Sequence, residues 1–125
     1  MILLVDDEES VRRPIRKFLE RTGYKVLEAA SGAEALSVCA EHSEPIHLVI
    51  TDMMMPGMNG RELMDRLAST GHAAKVLFTS GYTGDEVVRG GLLDSGMAFI
   101  EKPFNLAALA EKVRNVLQTP QGVDK

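Results

Sequence analysis

The chain has 125 residues, 45% of them apolar and 26% charged, with a net charge of −4. That is the composition of one ordinary globular domain, able to bury roughly two-thirds of its unfolded surface without staples. The single Cys39 builds neither a disulfide framework nor a zinc site, and no Lys/Arg block gives the footprint of a nucleic-acid binder. No apolar run approaches the ~18 residues of a membrane span. Met1 leads straight into a strand-like segment without a signal-peptide n-region, so a cytoplasmic location with no direct DNA or membrane contact is expected.

In chain order, strands and helices alternate. Ile2 to Val5 reads as a first strand and Glu9 to Thr22 as a first helix. Pro14 falls inside that helix and is tolerable only within about its first turn, before its missing N–H matters. Tyr24 to Leu27 gives a second strand and Gly32 to His42 a second helix, in which Cys39 among Ala35, Leu36 and Val38 reads as packing and not as a redox thiol. His47 to Thr51 is a third strand. Asn59 to Ser69 is a third helix, capped by Asn59 and preceded by a turn that uses Gly57 and Gly60. Met53, Met54, Met55 and Met58 resemble a soft-metal cluster, but the surrounding ligands are hard oxygens; Met53 and Met55 are expected to fill core or rim.

Lys75 to Thr79 forms a fourth strand and Asp85 to Leu93 a fourth helix, made short or mobile by Gly90 and Gly91 at about 1 kcal/mol each relative to Ala. Met97 to Ile100 is a fifth strand. The fifth helix, Leu106 to Gln118, places Leu106, Leu109, Ala110, Val113, Val116 and Leu117 on one face. Residues 119–125 read as a tail or linker stub, leaving residues 1–118 as the domain. Strict alternation implies parallel strands joined by right-handed crossovers, with helices on both faces. The nearly all-apolar first, third and fourth strands suit burial on both sides.

In such a sheet ligands bind at the carboxyl ends of the strands. There the sequence offers Asp6, Asp7 and Glu8; Asp52; Thr79, Ser80 and Gly81; and Glu101, Lys102 and Pro103. Three gathered aspartates repel one another, and a hard divalent cation, best Mg²⁺, is the usual remedy. Lys102 and the hydroxyl of Ser80 would then stabilise the equatorial oxygens of a transferring phosphoryl group, with the remaining carboxylate as covalent acceptor. Each feature has a plainer reading alone: an acidic N-cap, turn chemistry, a solvated strand end. Their coincidence at four strand ends favours a site. His42, His47 and His72 share no ligand spacing and adjoin no nucleophile.

Val5-Asp6-Asp7-Glu8, Thr51-Asp52 followed by Met55-Pro56-Gly57-Met58-Asn59-Gly60, Ser80-Gly81-Tyr82 and Lys102-Pro103-Phe104 resemble the four signature blocks of response-regulator receiver domains, over residues 2–118. The stretch Leu77 to Thr83 resembles receivers at the C-terminus of hybrid sensor kinases in particular. The resemblance implies a flavodoxin-like (βα)5 doubly wound α/β fold, with five parallel strands in order 2-1-3-4-5 flanked by five helices. It implies that Asp52 is phosphorylated by a sensor histidine kinase or a histidine phosphotransfer domain. Mg²⁺ would be held by Asp7, Asp52 and the backbone carbonyl of Met54, with Asp6 acting through metal-bound water. Ser80 and Lys102 would contact the phosphate; Ser80 is assigned over the adjacent Thr79 because the small Gly81 follows it. Phe99 takes the aromatic switch position, moving as Ser80 moves, for a downstream protein or a covalently linked kinase domain to read.

The kinase is expected to dock near the first helix, where Val11, Ile15 and the chain around Pro56 would form an apolar rim. Met54 and Tyr82 should border the approach of hydrolytic water. Neither is a carboxylate or amide that could orient it, so slow dephosphorylation is expected. Three other functions compete. A phosphohydrolase resembling the haloacid dehalogenase group would want an Asp where Met54 stands. A flavodoxin-like cofactor carrier would want a phosphate loop after the first strand. A degenerate receiver serving only as an interaction module would lack part of the Asp, Asp, Asp, Ser, Lys set.

Overall fold

Alternation of side chains along the strands decides how the molecule is layered. In the computed structural model, residues 1–41, 46–53, 57–69, 75–80, 98–102 and 104–118 are described, Ser80 by its backbone alone. Strands β1 (Ile2–Val5), β2 (Val26–Ala29), β3 (Leu48–Asp52), β4 (Lys75–Ser80) and β5 (Phe99–Glu101) form one parallel sheet in the order β2-β1-β3-β4-β5. This is the order the family resemblance implies. The described residues also contain helices α1 (Glu9–Arg21), α2 (Gly32–Glu41), α3 (Gly60–Ser69) and the C-terminal α4 (Leu106–Gln118). The helix expected over Asp85 to Leu93, with Gly90 and Gly91, lies outside the described residues, as do His42, His72, Met55 and the tail from 119.

Along β1 and β3, Ile2, Leu4, Leu48 and Ile50 point to one face and pack with Ile15 and Leu19 of α1 and Leu109 and Val113 of α4. Leu3, Val5 and Val49 point to the other and meet Ala35 and Cys39 of α2 and Leu63 and Leu67 of α3. Both strands are buried throughout, as central strands covered on two sides must be. No helix among the described residues is long and apolar enough to cross a membrane.

Two expectations need correction. The second strand starts at Val26, not Tyr24, because Gly23 and Tyr24 still close α1. Gly23 takes a φ of +103°, its N–H bonds Glu20 O at 3.1 Å, and the N–H of Tyr24 bonds Leu19 O at 3.1 Å. These are the two hydrogen bonds of a Schellman ending, and Tyr24 packs on the same cluster as Leu19. Secondly, α1 runs straight through Pro14, its sixth residue, well past the first turn. The ring is exposed and forfeits only the bond to the carbonyl of Ser10, while Ile15 and Leu19 of the same helix are buried in the core. That burial holds the helix where propensity alone would break it.

The start of α3 is pressed against the end of β3. A Cβ on Gly60 would lie 2.7 Å from the backbone oxygen of Asp52 and 3.2 Å from Cα of Met53. The N–H of Gly60 bonds Met53 O at 3.0 Å, and Asn59 and Glu62 form a reciprocal capping box, with bonds of 2.8 and 3.0 Å. Gly60→Ala must push backbone away from backbone. It should lower stability by about 1–3 kcal/mol, read as a lower urea midpoint at unchanged slope.

Candidate functional site

Between β1 and β3 the connections diverge to opposite sides of the sheet, and at this switch point the carboxyl ends of the strands open a crevice. Asp52 is the last residue of β3 and Asp6 follows β1 directly; both are buried, at 8% and 3% exposure, whereas Asp7 is exposed. Carboxylate oxygens of Asp6, Asp7 and Asp52 lie within 4.8 Å of one another. Lys102, just beyond β5, reaches across the end of β4. Its Nζ stands 3.2 Å from Asp6 Oδ2 and 3.2 Å from Asp52 Oδ2.

Burial alone would lower the affinity of Lys102 for its proton, but the charges and hydrogen bonds of Asp52 and Asp6 outweigh it and hold its pKa above the ordinary value. Among the described residues one ammonium faces three carboxylates, a negative balance. A set of hard carboxylate oxygens this close suits a hard divalent cation such as Mg²⁺. The Asp6 carboxylate also accepts the N–H of Glu8 at 2.9 Å, which fixes the turn leading into α1.

The structure thus brings together Asp6, Asp7, Asp52 and Lys102 of the residues singled out in the sequence. Thr79, the alternative hydroxyl, pairs with Asp52 in register and is buried at 3% exposure. The backbone of Ser80 ends β4, while its side chain, Met54 and Tyr82 lie outside the described residues. Phe99 is half-buried, opposite Phe78 in register, and packs on the small cluster of Met53 and Phe78. Met53 is fully buried, and burial of Cys39 pushes its thiol pKa up; both fit packing roles. Beside Lys102 a groove of about 370 Å³ is lined mainly by Val11, Pro14, Ile15, Phe104 and Leu106. It contains two of the expected rim residues; Pro56 lies outside the described residues.

Arg12 is not among the residues that the sequence pattern singles out. Its Nη1 donates to the backbone oxygen of Asp6 at 2.7 Å and its Nε to Glu28 Oε1 at 2.9 Å. The signal available was Glu28 itself, a carboxylate within the otherwise apolar β2.

The family model for the response regulator receiver domain matches residues 2–114. The chain belongs to that family. This receiver domain is 39% identical over 117 residues to the sensor kinase CckA of Brucella abortus, covering 94% of the chain but 12% of the kinase. It is 38% identical over 119 residues to the response regulator MprA of Mycolicibacterium vanbaalenii, covering 94% of the chain and 50% of that protein. A crystal structure of the receiver domain from the hybrid histidine kinase CckA superposes with a TM-score of 0.78 at 38% identity, covering 94% of this chain and 98% of that one. The chain therefore spans half or less of these two full-length relatives. Its own role is that of a phosphoacceptor receiver in two-component signalling.

Proposed function

We propose that Asp52 is the phosphoacceptor, charged by a histidine kinase or histidine phosphotransfer domain, and that the domain signals without turning over a separate substrate. The observation that supports this most is the position of Asp52: buried at a strand end, within 3.2 Å of Lys102 and beside two further carboxylates. An oxygen of Asp52 attacks phosphorus in line. The phosphorus bond to the imidazole nitrogen of the donor breaks, and the imidazole keeps the electron pair. Asp7, Asp52 and the carbonyl of Met54, with Asp6 through water, would hold Mg²⁺, which supplies neutralising charge for the phosphoryl oxygens. Lys102 contributes a point positive charge on the phosphate, and Ser80 a hydroxyl.

The groove beside Lys102 is where a helix of the phosphodonor would dock, its apolar side chains against Val11, Pro14 and Ile15. Ser80 and Phe99 would carry the switch, and a downstream protein or a covalently linked kinase domain would read it. Residues 1–118 form the receiver unit on this reading and residues 119–125 a linker, in a cytoplasmic setting. Met54 and Tyr82 belong to it as residues bordering the hydrolytic water.

Incubation with acetyl phosphate and Mg²⁺, borohydride reduction of the acyl phosphate and peptide mapping test the assignment. One modified residue, Asp52, is expected, and none with a chelator present. A phosphoryl group on another residue, or one acquired without a divalent cation, overturns it.

A further inference from the structure

We propose that Arg12 and Glu28 form a positioning pair for the loop that carries Asp6 and Asp7, and so set the affinity of the acidic crevice for its divalent cation. The inference rests on the reading that these aspartates, with Asp52, hold Mg²⁺.

Among the described residues no hydrogen bond or ion pair holds the exposed carboxylate of Asp7, so its aim depends on the backbone that presents it. That backbone is fixed from both sides at Asp6. The N–H of Asp6 bonds Ala29 O of β2 at 3.2 Å, and the carbonyl of Asp6, which forms the peptide to Asp7, accepts Arg12 Nη1 at 2.7 Å. The Arg12 guanidinium is itself oriented by Glu28 Oε1 at 2.9 Å, and Glu28 also accepts from Arg16. The side chains of Arg12 and Glu28 are 14% and 24% exposed. An exposed ion pair would be worth little, but here one prong of a rigid fork grips a main-chain carbonyl, which a carboxylate partner alone would not require.

A cation pinning this loop carries a cost of its own, because positive charge near the crevice opposes the binding of a divalent cation. Glu28 offsets it. Burial alone would push the Glu28 carboxyl up, but the hydrogen bonds and charges of Arg12 and Arg16 outweigh this and hold it below its ordinary range, so it stays ionised. Arg12 thus fixes geometry while Glu28, which it shares with Arg16, offsets part of its charge.

Calorimetric titration of the full chain with Mg²⁺, beside metal-free melting in chelator, tests this in wild type, Arg12→Met, Glu28→Gln and Asp7→Asn. Arg12→Met should weaken Mg²⁺ binding by about 10-fold or more, the usual scale for partners that orient metal ligands. Glu28→Gln should weaken it by a smaller factor. Arg12→Met that melts lower yet binds Mg²⁺ like wild type marks a merely structural ion pair and overturns the proposal. Should Arg12→Met not fold, wild-type affinity in Glu28→Gln overturns it equally. Absence of Mg²⁺ binding by wild type, or binding that survives Asp7→Asn, instead removes the metal reading on which this inference stands, and the inference with it.

Discussion

Asp52→Asn should abolish phosphorylation and at the same time make the metal-free domain more stable. The amide keeps the shape of the carboxylate but carries no charge, and its oxygen is too weak a nucleophile to attack phosphorus. The stability gain follows from the surroundings. Asp52 is 8% exposed and its oxygens lie within 4.8 Å of those of Asp6 and Asp7, so its charge is desolvated and repelled by two neighbours. Its attraction to Lys102 at 3.2 Å is lost in the variant, but Lys102 keeps Asp6 at the same distance. The balance should favour Asn by about 1 kcal/mol, or roughly 4 °C in Tm. Intact-mass measurement after acetyl phosphate treatment and scanning calorimetry in chelator check both halves. A labelled variant would remove Asp52 from its role; a variant less stable than wild type would mean that the lysine contact outweighs the repulsion.

How much of this is legible in the sequence differs from residue to residue. Strands β1 and β3 are plain in the sequence because both faces are buried, which forces a nearly continuous apolar run that ends in Asp6 or, after Thr51, in Asp52. The sheet topology follows from alternation, and the meeting of Asp6, Asp7, Asp52 and Lys102 follows from topology, since every carboxyl end of a parallel sheet lies on one rim. What local pattern missed was set by contacts distant in sequence. Pro14 inside α1 violates propensity and is overridden by the burial of Ile15 and Leu19. The late start of β2 depends on the hydrogen bonds by which Gly23 and Tyr24 close the preceding helix, where apolar character alone favoured Tyr24 as strand. Arg12 bonds residues six before and sixteen after it, a pairing that no helical or strand period generates.

Lys102→Met is the substitution in which opposite effects separate most clearly. In the metal-free domain Lys102 is a cation between Asp6 and Asp52, so the variant takes its charge away from two buried carboxylates. A cost of about 1–3 kcal/mol is expected, below that of breaking a fully buried pair because the lysine side chain is 22% exposed. The sign of the pH dependence follows. The folded pKa of Lys102 is raised, so its contribution is complete below its ordinary 10.5 and is lost as pH rises through the raised value; wild type should lose this increment only in strong alkali, and the variant should show no such loss. Mg²⁺ affinity should rise, because the lysine then no longer competes for the carboxylates. Phosphorylation at saturating Mg²⁺ should nevertheless fall by about 10²–10³, the scale for removing one group that stabilises transition-state charge. Titration calorimetry and phosphorylation rates measured on the same preparation would show tighter metal binding together with slower transfer. Unfolding cannot produce that combination, and a variant that transfers at the wild-type rate would place the stabilising charge elsewhere.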